Sequence, residues 1–394
     1  MITADAKENW MLLKITCATI AASFLLTLLF SCSSKDNTLG NSNLEIDTLS
    51  IEIGNKALSN YNTLANDIYQ SDGMNFMVCY NYLSHEIDFF NLDSSKYLRT
   101  LKLDPFGPNA VRAFSFLHHY QGKLIVLSGL ELAILDMNGK LLGKRLTPKW
   151  FESNGTKYRL AVSMFINNFD TGFGIDSVNH KIIHPIYPLL KKSNPDYFKS
   201  MLLCSLDFDS LKPIPMNAHY PVYLQNHNLF EEKDRPQILV KGDSVVFSFA
   251  SHPDIFIYRM TTMDQITKKI ECKKYPPIMP SNSGKYSNSS SMTQYFFNEG
   301  SYLPLKFDPY KKLFYRIFIL PKAENQPDST DTRKLLVLNQ NFEVLKEVSL
   351  PAGLDTDFFP TPSGMIFQFE KYFKNDHTYS LALLRIKGLQ SKSD

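Results

Sequence analysis

The chain has 394 residues, 44% of them apolar and 13% aromatic, enough for a large core in one big domain or two ordinary ones. With 42 basic against 39 acidic residues the net charge is +3, and the basic residues are scattered in short pairs such as Lys191-Lys192 and Lys273-Lys274, so the basic stripe that a nucleic-acid surface needs is missing. Phe and Tyr number 29 and 20 against 17 Gly, which suits strands and argues against long helices and disorder.

The first predicted element is a leader. Lys14 is followed by ITCATIAASFLLTLLF, sixteen uncharged and mostly apolar residues. A spanning helix needs about 20 apolar residues, so this run is short for an anchor and suits a signal-peptide core. Asp5 and Glu8 are unusual in such a leader, and a start at Met11 leaves MLLK as a conventional head. The stretch Leu28-Leu29-Phe30-Ser31-Cys32 resembles a bacterial lipobox. That resemblance implies cleavage after residue 31, diacylation of Cys32 and stable membrane attachment through two or three acyl chains. The alternative is an ordinary cleaved signal with an incidental cysteine. SSKDN after the cysteine resembles the export tag of surface lipoproteins in the Bacteroides group. The expected organisation is a signal peptide over 1–31, the lipidated cysteine and a flexible tether over 32–43, and one folded domain over 44–394. Cys17 leaves with the leader. Cys79, Cys204 and Cys272 are far apart and form no CxxC pair, which excludes a zinc knuckle. Cys79 and Cys204 fall in apolar strand runs and read as small buried hydrophobes.

From residue 44 onward, period-two strand signals recur to the end. LEIDTLSIEI, residues 44–53, is a spare strand. A four-strand unit follows over 65–103, with MNFMVCYN, IDFFNLD and YLRTLKL as its clearest strands. The second unit runs from Val111 to Thr147 as AFSFLH, LIVLSG, LAILDM and LLGKRLT, with a hairpin signal at Asn138-Gly139. The third covers 160–216 with a long insertion, the fourth 237–272, and the fifth about 301–350. The last, 355–388, lacks a fourth strand. MVCYNYLSHEIDFFNL (77–92) and SVVFSFASHPDIFIYRM (244–260) repeat one pattern, a Ser-His turn between the second and third strands of a unit.

Six units over 44–394 come to about 58 residues each, above the usual repeat period of about 40–50. The expected fold is all-β: a six-bladed β-propeller of four-stranded antiparallel blades. The N-terminal strand closes it by completing the last blade, which removes an exposed sheet edge. Two stacked β-sandwich domains are the alternative, and no Pro/Gly/Ser linker divides the folded region in their favour. The lipobox, the tether, the leading strand and six aromatic-rich units together resemble the uncharacterised six-bladed propeller lipoproteins of gut Bacteroides and their relatives, a domain of unknown function. That resemblance implies a fold and an address at the outer membrane, facing the periplasm or the cell surface. It carries no catalytic residues.

Catalytic motifs are absent: there is no HExxH, GxSxG, P-loop, or GxGxxG opening a helix. His180 and His184 in HKIIH have the i, i+4 spacing of zinc ligands. That spacing converges only on a helix, and this stretch reads as strand and loop, so no metal and no cofactor is expected. Asp207 and Asp209 in LDFDS read as a solvated strand edge. His118-His119 ends a strand, and one of the two is within reach of a central channel, with a structural histidine as the alternative. His85, His252 and His377 fall at second-to-third-strand turns, where a turn-stabilising hydrogen bond is expected.

The long insertions gather on one face: 179–200 and 321–332 between second and third strands, 215–236 and 271–300 between blades. Loops of this length are functional or disordered. Their aromatic and polar residues suit a polar ligand with apolar faces, such as a sugar or peptide. The candidates are Tyr187, Tyr197, His219, Tyr220, Tyr223, Arg235, Tyr275 and Tyr286, each with loop packing as the alternative. The expected function is a lipid-anchored cell-envelope binding or scaffolding protein whose partner is a glycan, peptide or protein. One alternative is a propeller-fold hydrolase or lyase acting on glycans, marked by two carboxylates, or a histidine with a carboxylate, in hydrogen-bond reach at the channel. The other is a structural subunit of an envelope complex, marked by a broad apolar patch.

Overall fold

The computed structural model describes residues 44–53, 61–107, 109–111, 116–127, 131–147, 149–161, 172–225, 231–270, 277–278, 295, 298–321, 333–369 and 378–389. The alternating sequence folds as strands throughout. β1 (Leu44–Glu52) comes first, and six consecutive groups follow. The first group is β2 (Tyr61–Ser71), β3 (Met74–Asn81), β4 (Glu86–Asn91) and β5 (Lys96–Lys102). The second is β6 (Phe116–Tyr120), β7 (Lys123–Leu127), β8 (Glu131–Asp136) and β9 (Leu141–Leu146). The third opens with a hairpin of β10 (Phe151–Ser153) and β11 (Thr156–Leu160). There β11 and β12 (Gly174–Asp176) lie one after the other along β13 (Lys181–Pro188), followed by β14 (Met201–Asp207) and β15 (Pro213–His219). A short helix, α1 (Val222–Gln225), and a 3-10 turn at Glu231–Asp234 lead to the fourth group. This is β16 (Pro236–Lys241), β17 (Ser244–Phe249), β18 (His252–Arg259) and β19 (Gln265–Lys268). In the fifth, β20 (Ser301–Tyr302) and β21 (Lys306–Asp308) share β22 (Leu313–Ile319), which precedes β23 (Arg333–Leu338) and β24 (Val344–Ser349). The sixth holds β25 (Leu354–Thr361), β26 (Gly364–Phe369) and β27 (Thr378–Ile386).

The spare N-terminal strand completes the sixth group. β1 runs antiparallel to β27 from Leu44 opposite Ile386 to Glu52 opposite Thr378. A single parallel pair, Glu52 with Lys96, joins it to β5, so the first and sixth groups merge into one eight-stranded sheet. The units are therefore less uniform than the repeat suggested, with sheets of eight, four, six, four and five strands. Both Ser-His turns do join the second and third strands of their groups, β3 to β4 and β17 to β18.

Two local readings are corrected. KIIHPIYP, expected inside the 179–200 insertion, is the central strand β13, with Pro185 opposite Leu203 and Pro188 opposite Tyr158. Its apolar run, buried at Ile182, Ile183 and Ile186, outweighs the missing N–H groups. The β10–β11 hairpin was not expected, although Asn154 and Gly155 both take positive φ as a two-residue hairpin turn demands. The leader and tether, Cys32, Cys272, Tyr275, Tyr286 and His377 lie outside the described residues.

Second and third strands are buried almost end to end, as in β7, β8, β14 and β17, whereas fourth strands such as β9 and β19 are largely accessible. The middle strands need cover on both faces, and neighbouring groups supply it. Val78 and Phe89 of the first group pack with Leu124 and Ala133 of the second. Ile125 and Ile134 pack with Ile182 and Leu206 of the third. Leu203 and Met216 pack with Val245 and Phe247 of the fourth. Val246 and Ile255 pack with Phe314 and Leu336 of the fifth. Ile317 and Val337 pack with Met365 and Leu384 of the sixth. Ile51, Ile366 and Leu381 then pack with Met77, Cys79 and Phe90 of the first.

Cys79 and Cys204 are both buried, and burial pushes their thiols well above the usual range, as inert core residues require. His184 on β13 is fully buried. Its Nδ1 donates to the Pro185 carbonyl at 2.7 Å, and its Nε2 has no hydrogen-bond partner. Burial pulls its pKa down from 6.5 to about 4, only partly opposed by that hydrogen bond. The neutral ring is thus favoured in the fold. Its contribution is full above pH 6.5 and is lost as pH falls through about 4. We predict that urea titrations at pH 7 and 4.5 differ by about 2–3 kcal/mol more in the native chain than in His184→Leu. Equal differences in the two proteins would remove His184 as the cause.

Candidate functional site

All six groups contribute to one cavity of about 360 Å3, each through a strand that pairs with a neighbour on one side only. β2 supplies Asp67, β6 supplies Phe116 and His118, and β12 supplies Gly174 and Ile175. β16 supplies Ile238 and Val240, β21 supplies Lys306 and Phe307, and β25 supplies Asp357 and Phe359. Consecutive residues of β6, β16 and β25 line it, Leu117, Leu239 and Phe358 among them.

Two ion pairs stand in this aromatic and aliphatic wall. Asp67 is buried, with its carboxylate held from two sides: Oδ1 accepts the Ile68 N–H at 2.9 Å and Oδ2 accepts the His119 N–H at 2.8 Å. His118 Nδ1 lies 3.0 Å from the same Oδ2. Burial works against a charged imidazole here, but the Asp67 charge and hydrogen bond outweigh it, and the His118 pKa is raised above 6.5. The Lys306 charge pulls in the opposite direction. The ring keeps 45% of its side-chain surface accessible, as suits a group on a cavity wall, flanked by protein and wet on one side. The second pair is Lys306 with Asp357 at 2.8 Å, and the Lys306 ammonium also sits 5.1 Å from the centre of the Phe359 ring.

The sequence pointed to one of the His118-His119 pair as able to face a channel, and Asp67, Lys306 and Asp357 were missed. Their signal was present: each is a charge inside the first strand of a unit, in ANDIYQS, LPLKFD and LDTDFFPT. A charge in a strand that begins a repeated sheet points to a solvated inner edge.

The loop-face candidates are partly brought together. His219, Tyr220 and Tyr223 line an open groove of about 780 Å3 with His252 and Asp254. His219 closes β15, and both its ring nitrogens are occupied, by the Lys199 carbonyl at 3.1 Å and Asn217 Oδ1 at 2.9 Å. Tyr220 is buried against Tyr197, Phe198 and Phe249, and burial pushes its hydroxyl well above the ordinary range. Tyr223 stacks on His252 at 4.4 Å. Tyr187 lies on β13, 5.9 Å from the Arg235 guanidinium, outside the groove's lining. His180 sits in a turn against Tyr120 and is remote in role from buried His184. No group of metal-ligating residues occurs among the described residues. Asp207 caps its turn by accepting the Asp209 and Ser210 N–H groups, and His85 pairs with the Tyr80 hydroxyl at 2.7 Å.

The family model described as Domain of unknown function (DUF4221) matches residues 41–349. A crystal structure of a DUF4221 member from Bacteroides vulgatus is similar, with 14% identity, a TM-score of 0.66, and coverage of 88% of this chain and 99% of that one. A structure from Bacteroides fragilis has 11% identity, a TM-score of 0.48 and coverage of 88% and 96%. No curated protein is significantly similar. The all-β architecture and the matched span lead to one statement of kinship: the chain belongs to the DUF4221 family.

Proposed function

We propose that this chain is a lipid-anchored envelope protein that binds a small polar ligand with apolar faces, a sugar or a short peptide, in the central cavity. In this reading the six strand groups are six propeller blades, and residues 1–31 are a cleaved leader. Cys32 carries the lipid, residues 32–43 are the tether, and the protein stands at the outer membrane. The observation that carries the reading is the cavity to which all six groups contribute a strand. Its volume, about 360 Å3, lies in the range of small-molecule sites, and a few placed charges among aromatic walls are their usual composition. A structural subunit calls for a broad apolar patch instead of a concave site.

The test is a thermal-shift screen of the purified chain against mono- and oligosaccharides and short peptides. A ligand at 100 times its Kd stabilises the fold by about 2.7 kcal/mol. Lys306→Met weakens binding about 10- to 100-fold, as the loss of a charged hydrogen bond does. If nothing in the panel binds while one membrane protein co-purifies, the structural-subunit reading replaces this one. For the anchor, Cys32→Ala moves the protein out of the membrane fraction, and continued tight attachment would defeat that part.

A further inference from the structure

The cavity contains more than ligand binding requires. Asp67 is locked by two backbone N–H groups, and its Oδ2 takes the Nδ1 side of His118. Because a carboxylate only accepts, Nδ1 carries the proton, which leaves Nε2 of the neutral ring with a free lone pair. Nε2 has no hydrogen-bond partner among the described residues, and the ring lines the cavity with much of its surface open. Lys306 lines the same cavity, near enough to influence His118 electrostatically. This is an oriented base with a cation at hand.

The rest of the lining narrows the chemistry. Among the described residues the lining includes no Ser or Cys, and the Thr356 hydroxyl is turned to Asp355 at 3.3 Å, so no nucleophile for a covalent intermediate stands among them. Asp67 is tied to the His118 imidazole and two backbone N–H groups, and Asp357 to the Lys306 ammonium. Neither is a neutral acid ready to protonate a glycosidic oxygen, as glycoside hydrolysis needs. The His118–Asp67 pair suits activation of water.

We propose that the cavity hydrolyses a carboxylic ester carried by its ligand, with His118 as general base, Asp67 as its positioning residue and Lys306 facing the developing oxyanion. This deepens the binding reading and rests on it. His118 Nε2 takes a proton from water as the water oxygen bonds to the acyl carbon, and the carbonyl π electrons move onto its oxygen beside Lys306. That oxygen then returns its electron pair, the C–O bond to the alcohol breaks, and the leaving alkoxide takes the proton from Nε2. An acid and an alcohol result, with water consumed and no redox change.

The experiment uses the full chain in detergent with p-nitrophenyl acetate and p-nitrophenyl butyrate. The expected result is p-nitrophenolate release with kcat/KM at least about 100-fold lower in His118→Asn. His118→Gln serves as the second variant, and both are checked for folding by circular dichroism. The rate rises with pH as His118 loses its proton. The charged or titratable groups around it are Asp67 on β2, His119 on its own strand, Lys306 on β21 and Asp357 on β25; the lining residues of β12 and β16 carry no charge. Asp67→Asn removes the carboxylate that holds the proton, so it shifts the rising limb to lower pH, which a purely structural role would not do. Release at the buffer rate, or equal rates in folded His118 variants, overturns the proposal. Sugar or peptide binding without ester hydrolysis sinks this step and leaves the binding reading standing. His118-dependent hydrolysis without sugar or peptide binding does the reverse for the ligand class.

Discussion

Ile51→Ala lowers the unfolding free energy by about 2–5 kcal/mol, the usual cost of emptying a buried isoleucine site. Ile51 is fully buried on β1, in a cluster that joins Ile366 and Leu381 of the sixth group to Met77, Cys79 and Phe90 of the first. With Leu49 and Ile53 in the same cluster, it fastens the end of the chain to its beginning. The control is Ile46→Ala on the same strand, where 42% of the residue is exposed; there the change stays within about 0.5 kcal/mol. The comparison is made by urea denaturation at pH 7. Equal, small effects at both positions would mean that β1 decorates the sheet and does not close it.

Arg316→Met has an effect of similar or greater size for a different reason. Arg316 is completely buried on β22 and gives its hydrogen bonds to three backbone carbonyls. Nε reaches Leu303 at 3.1 Å, Nη1 reaches Pro253 at 2.7 Å, and Nη2 reaches Phe249 at 3.0 Å. Phe249 and Pro253 flank the Ser-His turn of the fourth group, and Leu303 lies between β20 and β21 of the fifth. One guanidinium thus ties two neighbouring groups together, with its face 4.8 Å from the Tyr302 ring centre. Burial lowers its pKa to about 10, which still leaves it charged at neutral pH. Met fills similar volume but strands three buried acceptors, each worth about 1–3 kcal/mol with overlap among them, and the loss is about 3–5 kcal/mol. Arg316→Lys recovers only part, since one ammonium cannot reproduce the planar fork. A loss below about 1 kcal/mol in the Met variant would show that the carbonyls find other donors.

The strand groups were legible because half-buried and fully buried strands write themselves into the sequence locally. MNFMVCYN, QILVKG, SVVFSFA and IFIYRM all fall on observed strands, and Asn138-Gly139 forms the turn it announces, with Gly139 donating to the Asp136 carbonyl at 3.0 Å. The spare strand was legible by subtraction, since the last unit lacked one. β13 was placed in an insertion because its length and its two prolines do not stand out locally as a strand, and the burial that makes it one is supplied by β11, β12 and β14. The site was less legible for the same reason. Asp67, His118, Lys306 and Asp357 come from four different groups, and no spacing rule links them. Tyr220 and Tyr223 were found by composition, but the structure spends much of their surface on Tyr197, Phe249 and His252.

Ligand binding is proposed in the cavity to which all six groups contribute. Histidine-selective 13C NMR reads that claim directly, because the chain has only nine histidines and His118 lines the cavity while His219 and His252 line the groove. Spectra are recorded with and without a sugar or peptide that raises Tm. The account predicts that the His118 resonance moves while those of His219 and His252, at the loop-face groove, stay in place. Movement of His219 or His252 with His118 unchanged would contradict it.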